Sequence, residues 1–549
     1  MRKTLIVHPE DHMVVALTDL PAGSQIEVDG SQIQLANQVK AKHKFTRWPC
    51  RAGDYLKMYG LVVGQALRDL TAGERLDTTN LKHAVADIAA ANQQKSWEAP
   101  EFERWREARF QGYARPDGRF GTRNFWIVVP LVFCQNRNVD VLREALWDQL
   151  GYGSRNRFSN MTRRLVELHA EGTAPELIRE TAFHVDPYVN DAKPLFPHVD
   201  GIKFLTHDGG CGGLYEDART LCGLLAGYIN HPNVAGATVL SLGCQKSQIA
   251  TLEAELHQRN AHFQKPLYIL EQQQEGSEST LLEKALRFTF AGVAGADQQR
   301  RQAAPLSHLN LGVECGGSDG FSGISANPAI GYCSDLLVGQ GGSVILSEFP
   351  ELSGCENDLV SRSKDAVVSE RFLQIMRDYE SRAQQDGGGF DQNPSPGNVA
   401  DGLITDAMKS AGAARKGGTS PIVDVLDYPE PVVHPGLNLL CTPGGDVEST
   451  TAMAGSGATI QLFSTGLGTP TGNPISPVLK ISSNSELPQR MPDIIDWDAG
   501  SIISGQQTIE EVGRAIWELV IKTASGEYHC KAEQLGQNDF IPWKRGVSI

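Results

Sequence analysis

LGVECGGSDGFSGISANPAIG, residues 311–331, sets the reading of the fold. A short apolar strand, Leu311 to Val313, runs straight into Glu314, Cys315, two glycines, Ser318 and Asp319, with Ser322, Ser325 and Asn327 close behind. A glycine-rich polar loop at the end of a buried strand is poor core material. It suits a place where backbone and small side chains close around a ligand or an ion. The same grammar recurs on both sides. Upstream stand GIKFLTHDGGCGG (201–213), GATVLSLGCQ (236–245) and KPLYILEQ (265–272). Downstream stand GGSVILSEFPE (341–351), SPIVDVLDY (420–428), GLNLLCTPGGD (436–446) and ATIQLFSTGLG (458–468).

Between these apolar runs lie segments with helical spacing, such as 215–231, 246–260 and 279–293. Strands buried on both faces and alternating with helices predict a mostly parallel sheet in an α/β fold. Ligands in such sheets bind beyond the carboxyl ends of the strands, and the polar motifs of this series lie at those ends. No G-x-G-x-x-G follows the first strand of the series and no G-x-x-x-x-G-K-[ST] occurs, so dinucleotide and P-loop nucleotide binding are unsupported.

Outward from this region the texture changes. Residues 1–80 read as a small all-β module, with short strands in TLIVH (4–8), MVVALTDL (13–20), QIEVDG (25–30) and QIQLA (32–36). Within it His43 lies among Lys42, Lys44 and Arg47, either a surface histidine in a basic loop or an imidazole facing a ligand. Residues 81–111 read as a polar linker. Residues 112–300 form a middle α/β region, mainly helical over 139–190, and residues 301–549 a C-terminal Rossmann-like α/β region. GYARPDGRFGTRN (112–124) carries Arg115, Arg119 and Arg123, which could grip a carboxylate.

The chain has 549 residues, 40% hydrophobic and 21% charged, as expected of a core-forming globular protein. A net charge of −15 argues against nucleic acid or an anionic membrane as partner, and leaves an anionic substrate in need of local cations or a metal. The N-terminus has no signal-peptide pattern and no apolar run is long enough to span a bilayer, so a cytoplasmic location is expected. Ten cysteines are spread along the chain without a C-x-x-C pair. Cys211, Cys244, Cys315 and Cys441 each stand at or just past a strand end. One buried cysteine is more often core than ligand; four at equivalent positions are harder to dismiss. Thiolates and imidazole suit Fe(II) or Zn. A metal with an open position suits β-elimination of water from a hydroxy acid, where an enediolate must be stabilised and a hydroxyl must leave.

The motifs at 112–124, 204–212, 241–245, 313–331, 346–351, 393–398, 416–428, 435–450 and 464–484 resemble those of the altronate/galactarate dehydratase family of sugar-acid dehydratases. The resemblance spans nearly the whole chain. It implies an N-terminal β-clip (SAF) domain, a middle dimerising region and hence a homodimer or higher homo-oligomer. It also implies dehydration of a sugar acid, with altronate ahead of galactarate, and dependence on Fe(II) or another divalent cation. The candidate residues that follow are His43, Asp319 and Glu348 for catalysis; Arg119, Arg123, Ser318, Asn327 and Asp446 for substrate; and His207, Cys211, Cys244 and Cys315 for metal. Two departures stand out. Gly445 occupies a position in P-G-G-D where P-G-N-D is expected, and Gln245 stands where the family often has Glu. The rivals are an iron–sulfur hydratase, a carbon–sulfur lyase and a non-catalytic sugar-acid binding protein.

Overall fold

The computed structural model describes residues 2–86, 96–153, 157–182 and 193–549. Part of the expected linker (87–95) and the end of the expected helical stretch (183–190) lie outside the described residues.

The N-terminal module is built of short antiparallel strands. Thr4–Leu5, Met13–Ala16 and Lys44–Thr46 form one small sheet, Gln25–Val28 and Ser31–Gln34 a hairpin, and Tyr55–Met58, Leu61–Ala66 and Leu81–Lys82 a third sheet. Glycines with positive φ at 23, 30, 53, 60 and 73 turn the chain between them.

The α/β part holds two parallel sheets. The smaller contains β1 (Phe125–Pro130), β2 (Gly201–Phe204), β3 (Val234–Ser241) and β4 (Leu267–Glu271) in the order β2-β1-β3-β4. The larger contains β5 (Asn310–Cys315), β6 (Ser343–Leu346), β7 (Ile422–Leu426), β8 (Gly436–Leu440), β9 (Ile460–Thr465), β10 (Val478–Ser482) and β11 (Trp497–Asp498). Its order is β7-β8-β6-β5-β9-β10-β11, and every neighbouring pair is parallel. The opening stretch thus supplies β5, the central strand, and its loop leaves from the middle of the sheet edge. Strands β1, β3, β5, β8 and β9 are buried along most or all of their length, which is why their sequences are apolar without alternation.

The two sheets share a core. Leu221, Leu224 and Leu225 of the helix Tyr215–Asn230 pack with Ile345, Leu440, Ala452 and Met453 of the larger sheet and its helix Asp446–Gly455. The helices approach so closely that a Cβ on Gly227 would lie 2.1 Å from the Gly455 carbonyl oxygen. A further antiparallel sheet joins Arg109–Ala114 to Phe120–Gly121 and to Arg301–Pro305, which lies at the junction of the two α/β regions.

Candidate active site

Parallel strands bring their carboxyl ends to one edge. In the larger sheet Val313 pairs with Leu346, and Leu346 with Leu439. The residues that follow, Glu314–Cys315, Ser347–Glu348 and Cys441–Thr442, therefore emerge side by side. Asp446 opens the helix beyond β8, Glu351 lies in the turn after Glu348, and Lys409 and Lys416 arrive on the helix Asp406–Ala413 and the turn Ala414–Gly417.

These groups form one buried network. Lys409 Nζ lies 2.6 Å from Glu351 Oε1, and Lys416 Nζ 3.5 Å from Glu351 Oε2 and 3.8 Å from Glu348 Oε2. Lys416 Nζ also donates to Cys315 Sγ at 2.9 Å, and the Cys315 thiol donates to Glu351 Oε2 at 3.3 Å. Ser449 and Ser347 hydroxyls donate to Glu314 Oε2 at 2.5 and 3.0 Å. Glu314 Oε1 and Glu348 Oε2 are buried without a hydrogen-bond partner. An orphaned carboxylate oxygen in a dry site is costly unless a proton, a cation or a substrate group meets it.

The electrostatics follow from this packing. Burial, then the charges of Glu314 and Glu351, push the Glu348 carboxyl well above the usual range. Burial, with Glu314 next, raises Asp446 to about 7. Burial would also raise Glu351, but the Lys409 and Lys416 ammonium groups outweigh it and hold the carboxyl down to about 2. Cys315 is raised to about 12, first by burial and then by Glu351, and stays a thiol. Glu348 also has a left-handed backbone, φ +67°, in a non-glycine residue. That conformation costs on the order of 1–3 kcal/mol and is retained where a site dictates it.

The small β module reaches the same loops. Lys42 Nζ lies 3.1 Å from Asp319 Oδ2 and 3.3 Å from Asp401 Oδ1. Lys44 Nζ donates to the Gly402 carbonyl at 2.6 Å, and His43 Nε2 lies 3.1 Å from the Ala400 carbonyl oxygen. Burial, then the Lys44 charge, lowers the His43 pKa, so its ring is neutral. With the Nε2 hydrogen directed at Ala400, Nδ1 is left as an acceptor. A Cβ on Gly320 or Gly402 would lie 2.5 Å from the Lys42 carbonyl oxygen, so both glycines permit this contact.

Asp319 is fully occupied. Its Oδ1 accepts from the Phe321 and Ser322 amides and the Ser322 and Ser483 hydroxyls, and its Oδ2 accepts from Asn484 Nδ2. It ties down the loop and anchors Lys42, which leaves no free lone pair for the acid–base role expected of it. Asn327 is likewise spent, donating to the Gly412 carbonyl and accepting from the Ser464 hydroxyl. The Ser318 hydroxyl is buried and unpartnered, while its carbonyl accepts from Asn398 Nδ2 at 2.7 Å.

Arg119 and Arg123 do not reach this edge. They precede β1 and lie toward its amino end. Arg119 pairs with Asp117 and donates to Asn230. Arg123 is wholly buried, paired in a bidentate manner with Glu533 at 2.7 and 2.8 Å, and donates to the Thr122 and Thr523 carbonyls. The cations of the site are Lys409 and Lys416, which carry no local signature beyond membership of motifs such as KGGTSPIVDVLDY, and Lys42, which stands in the basic stretch around His43.

The four expected metal ligands also separate. His207 Nε2–H donates to the Pro130 carbonyl at 2.8 Å and Nδ1 accepts from the Gly209 amide at 3.1 Å, so both ring nitrogens are used. Cys211 and Cys244 are exposed at the edge of the smaller sheet, whereas Cys315 is buried at the edge of the larger one. Among the described residues, two groups have ligand atoms within 4.8 Å of one another: Glu314 with Glu348 and Asp446, and Cys315 with Glu348 and Glu351. The first fits a hard divalent cation, since it offers three carboxylates and two unpartnered oxygens. The second already holds the Lys416 ammonium against its thiol and carboxylates, which disfavours a metal.

An α/β fold with buried carboxylates and lysines at the carboxyl edge of its larger sheet defines an enzyme for proton and charge handling on a small substrate. Comparison with known proteins narrows that class. The altronate/galactarate dehydratase SAF domain matches residues 2–84, the second domain of D-galactarate dehydratase/altronate hydrolase residues 112–297, and the D-galactarate/altronate dehydratase C-terminal domain residues 306–548. Altronate dehydratase of Bacillus subtilis is 31% identical over 549 residues, covering 100% of both chains. Altronate dehydratase of Escherichia coli is 32% identical over 553 residues and 99% of both. Galactarate dehydratase (L-threo-forming) of Escherichia coli is 36% identical over 310 residues, 56% of this chain and 59% of its own. The chain belongs to the altronate/galactarate dehydratase family.

Proposed function

We propose that this chain is a hydro-lyase that converts D-altronate to 2-dehydro-3-deoxy-D-gluconate and water. The carrying observation is the buried Glu314–Glu348–Asp446 group, with its orphaned oxygens, set against Lys416. The full-length similarity to two altronate dehydratases favours altronate over other sugar acids.

In this reading Lys409 and Lys416 place positive charge where the substrate carboxylate gathers enediolate character. Neutral His43 takes the C2 proton on Nδ1. The three-carboxylate group would hold a divalent cation, Fe(II) by family resemblance, which would supply Lewis acidity. Lys42 and Asp319 keep the β module seated over the 314–319 loop, excluding water. The C3 hydroxyl leaves as water with the proton that His43 took from C2, and the enol then gains a proton at C3 and loses its hydroxyl proton to give the 2-keto product.

Incubating the Fe(II)-supplemented protein with a panel of aldonates and aldarates, and assaying 2-keto-3-deoxy acids, tests the proposal. Turnover of D-altronate is expected. Turnover of galactarate with none of altronate would overturn the substrate assignment.

A further inference from the structure

Seven of the ten cysteines are buried, and the three exposed ones are Cys134, Cys211 and Cys244. Exposed free thiols are oxidation liabilities, and random placement would scatter them. Here they follow β1, β2 and β3, three adjacent strands of the smaller sheet, at its carboxyl edge.

The loops that carry them are locked to each other. The Phe133 amide donates to the Gly209 carbonyl at 3.0 Å and the Lys246 amide to the Gly210 carbonyl at 2.9 Å. The Ser247 hydroxyl donates to the Leu131 carbonyl. Gly210, at φ +97°, permits this junction, since a Cβ there would lie 2.3 Å from the Leu131 oxygen. Gln245 turns back to bond the Gly243 amide and the Ser241 hydroxyl, closing the loop around Cys244. Each cysteine is therefore within two residues of a fixed inter-loop bond or its own loop tie.

A cavity of about 310 Å³ adjoins these loops; Asn136, Cys211, Lys246 and Lys544 line it, while Cys134 and Cys244 stand outside its lining. Asn136 is two residues from Cys134, and Lys246 two from Cys244. Among the described residues the three sulfurs do not close to within 4.8 Å of one another. That is wider than the edge of about 3.8 Å that Zn–S bonds of ~2.3 Å imply for a mononuclear site. A mononuclear site on the three thiols is thereby disfavoured, whereas in a cluster each cysteine binds a different iron.

We propose that Cys134, Cys211 and Cys244 bind a [4Fe–4S] cluster with one iron free of protein thiolate. The open iron would take an oxygen of a hydroxy-carboxylate entering the cavity, with Lys246 and Lys544 supplying positive charge. The cluster itself stands on the placement of three exposed thiols on adjacent, hydrogen-bonded strand-end loops. Its service in dehydration rests on the sugar-acid reading.

The test uses full-length protein purified anaerobically, then reconstituted with ferrous iron and sulfide. Iron, acid-labile sulfide and visible absorption are compared for wild type, Cys134→Ser, Cys211→Ser, Cys244→Ser and the buried control Cys222→Ser, with circular dichroism reporting the fold. About four irons and four sulfides per chain are expected in wild type and control. A loss of most of the sulfide is expected in each of the other three variants. A folded wild type without labile sulfide after reconstitution overturns the proposal, as does full sulfide in all three variants. Altronate turnover in the same samples separates the two readings. Turnover without sulfide sinks the cluster alone, and a cluster without turnover of any sugar acid sinks the dehydratase assignment alone.

Discussion

The two parallel sheets present contrasting carboxyl edges. The larger edge is dry: Glu314, Cys315, Glu348 and Lys416 are almost entirely buried, and their charges answer one another at short range. The smaller edge is open: its three cysteines are exposed and its loops are fixed by backbone hydrogen bonds instead of ion pairs. The first suits hard cations and proton handling, the second soft metal chemistry. Local sequence is alike at both, strand, cysteine, glycine; what separates them is depth. β5 is the central strand of seven, and its loop is covered by the β module and the Lys409–Lys416 segment. The Cys211 loop of the smaller sheet meets the C-terminal segment, whose Ile549 amide donates to the Gly212 carbonyl at 2.7 Å, and its thiol stays exposed.

Several substitutions would break or sharpen this contrast. Lys416→Met removes the cation that faces Glu348, Glu351 and Cys315 at once. A fall in kcat/KM on altronate of about a thousandfold is expected from steady-state kinetics, in the range for losing one preorganised electrostatic group. Arg123→Met acts at the other end of the strands. It strands Glu533 in a buried pair and is expected to cost about 3–5 kcal/mol in denaturant unfolding, while the folded fraction keeps near-normal kcat.

The same pair sets an acid limit. Burial would raise Glu533, but Arg123 outweighs it and lowers the carboxyl to about 2. A depressed carboxyl contributes stability above its unfolded value, near 4.5, and loses it as pH falls toward 2. Wild type should therefore lose stability across that window, and Arg123→Met should show a flatter profile there by thermal melting. Lys42→Ala cuts the link between the β module and Asp319. About a tenfold loss in kcat/KM is expected, ~1.4 kcal/mol. Arg119→Gln, remote from both edges, should change turnover by less than about twofold, as isolated surface pairs contribute little.

Much of this was legible in the sequence. Apolar runs and helical spacing gave the parallel α/β architecture, and Cys244, Cys315 and Glu348 do lie at strand ends. Arg119 and Arg123 show where reading by residue type failed: they come before β1, and that position alone assigns them to the amino edge, away from the polar loops. Lys409 and Lys416 were hidden for another reason. They stand about a hundred residues from Cys315, on a short helix and turn with no local mark of a site, and only the tertiary fold brings them in. Asp319 looked like a free carboxylate because the sequence does not reveal that Ser322, Ser483 and Asn484 occupy it. Cys134 drew no notice since its neighbours resemble ordinary core.

The measurement that bears most directly on the central claim is altronate dehydration by Glu348→Gln with its thermal melt alongside. The substitution removes a carboxyl that is buried, partly unpartnered and flanked by like charges. The account predicts that product formation falls by at least about a hundredfold while melting stays level or rises. Wild-type turnover in a folded Glu348→Gln protein would contradict it.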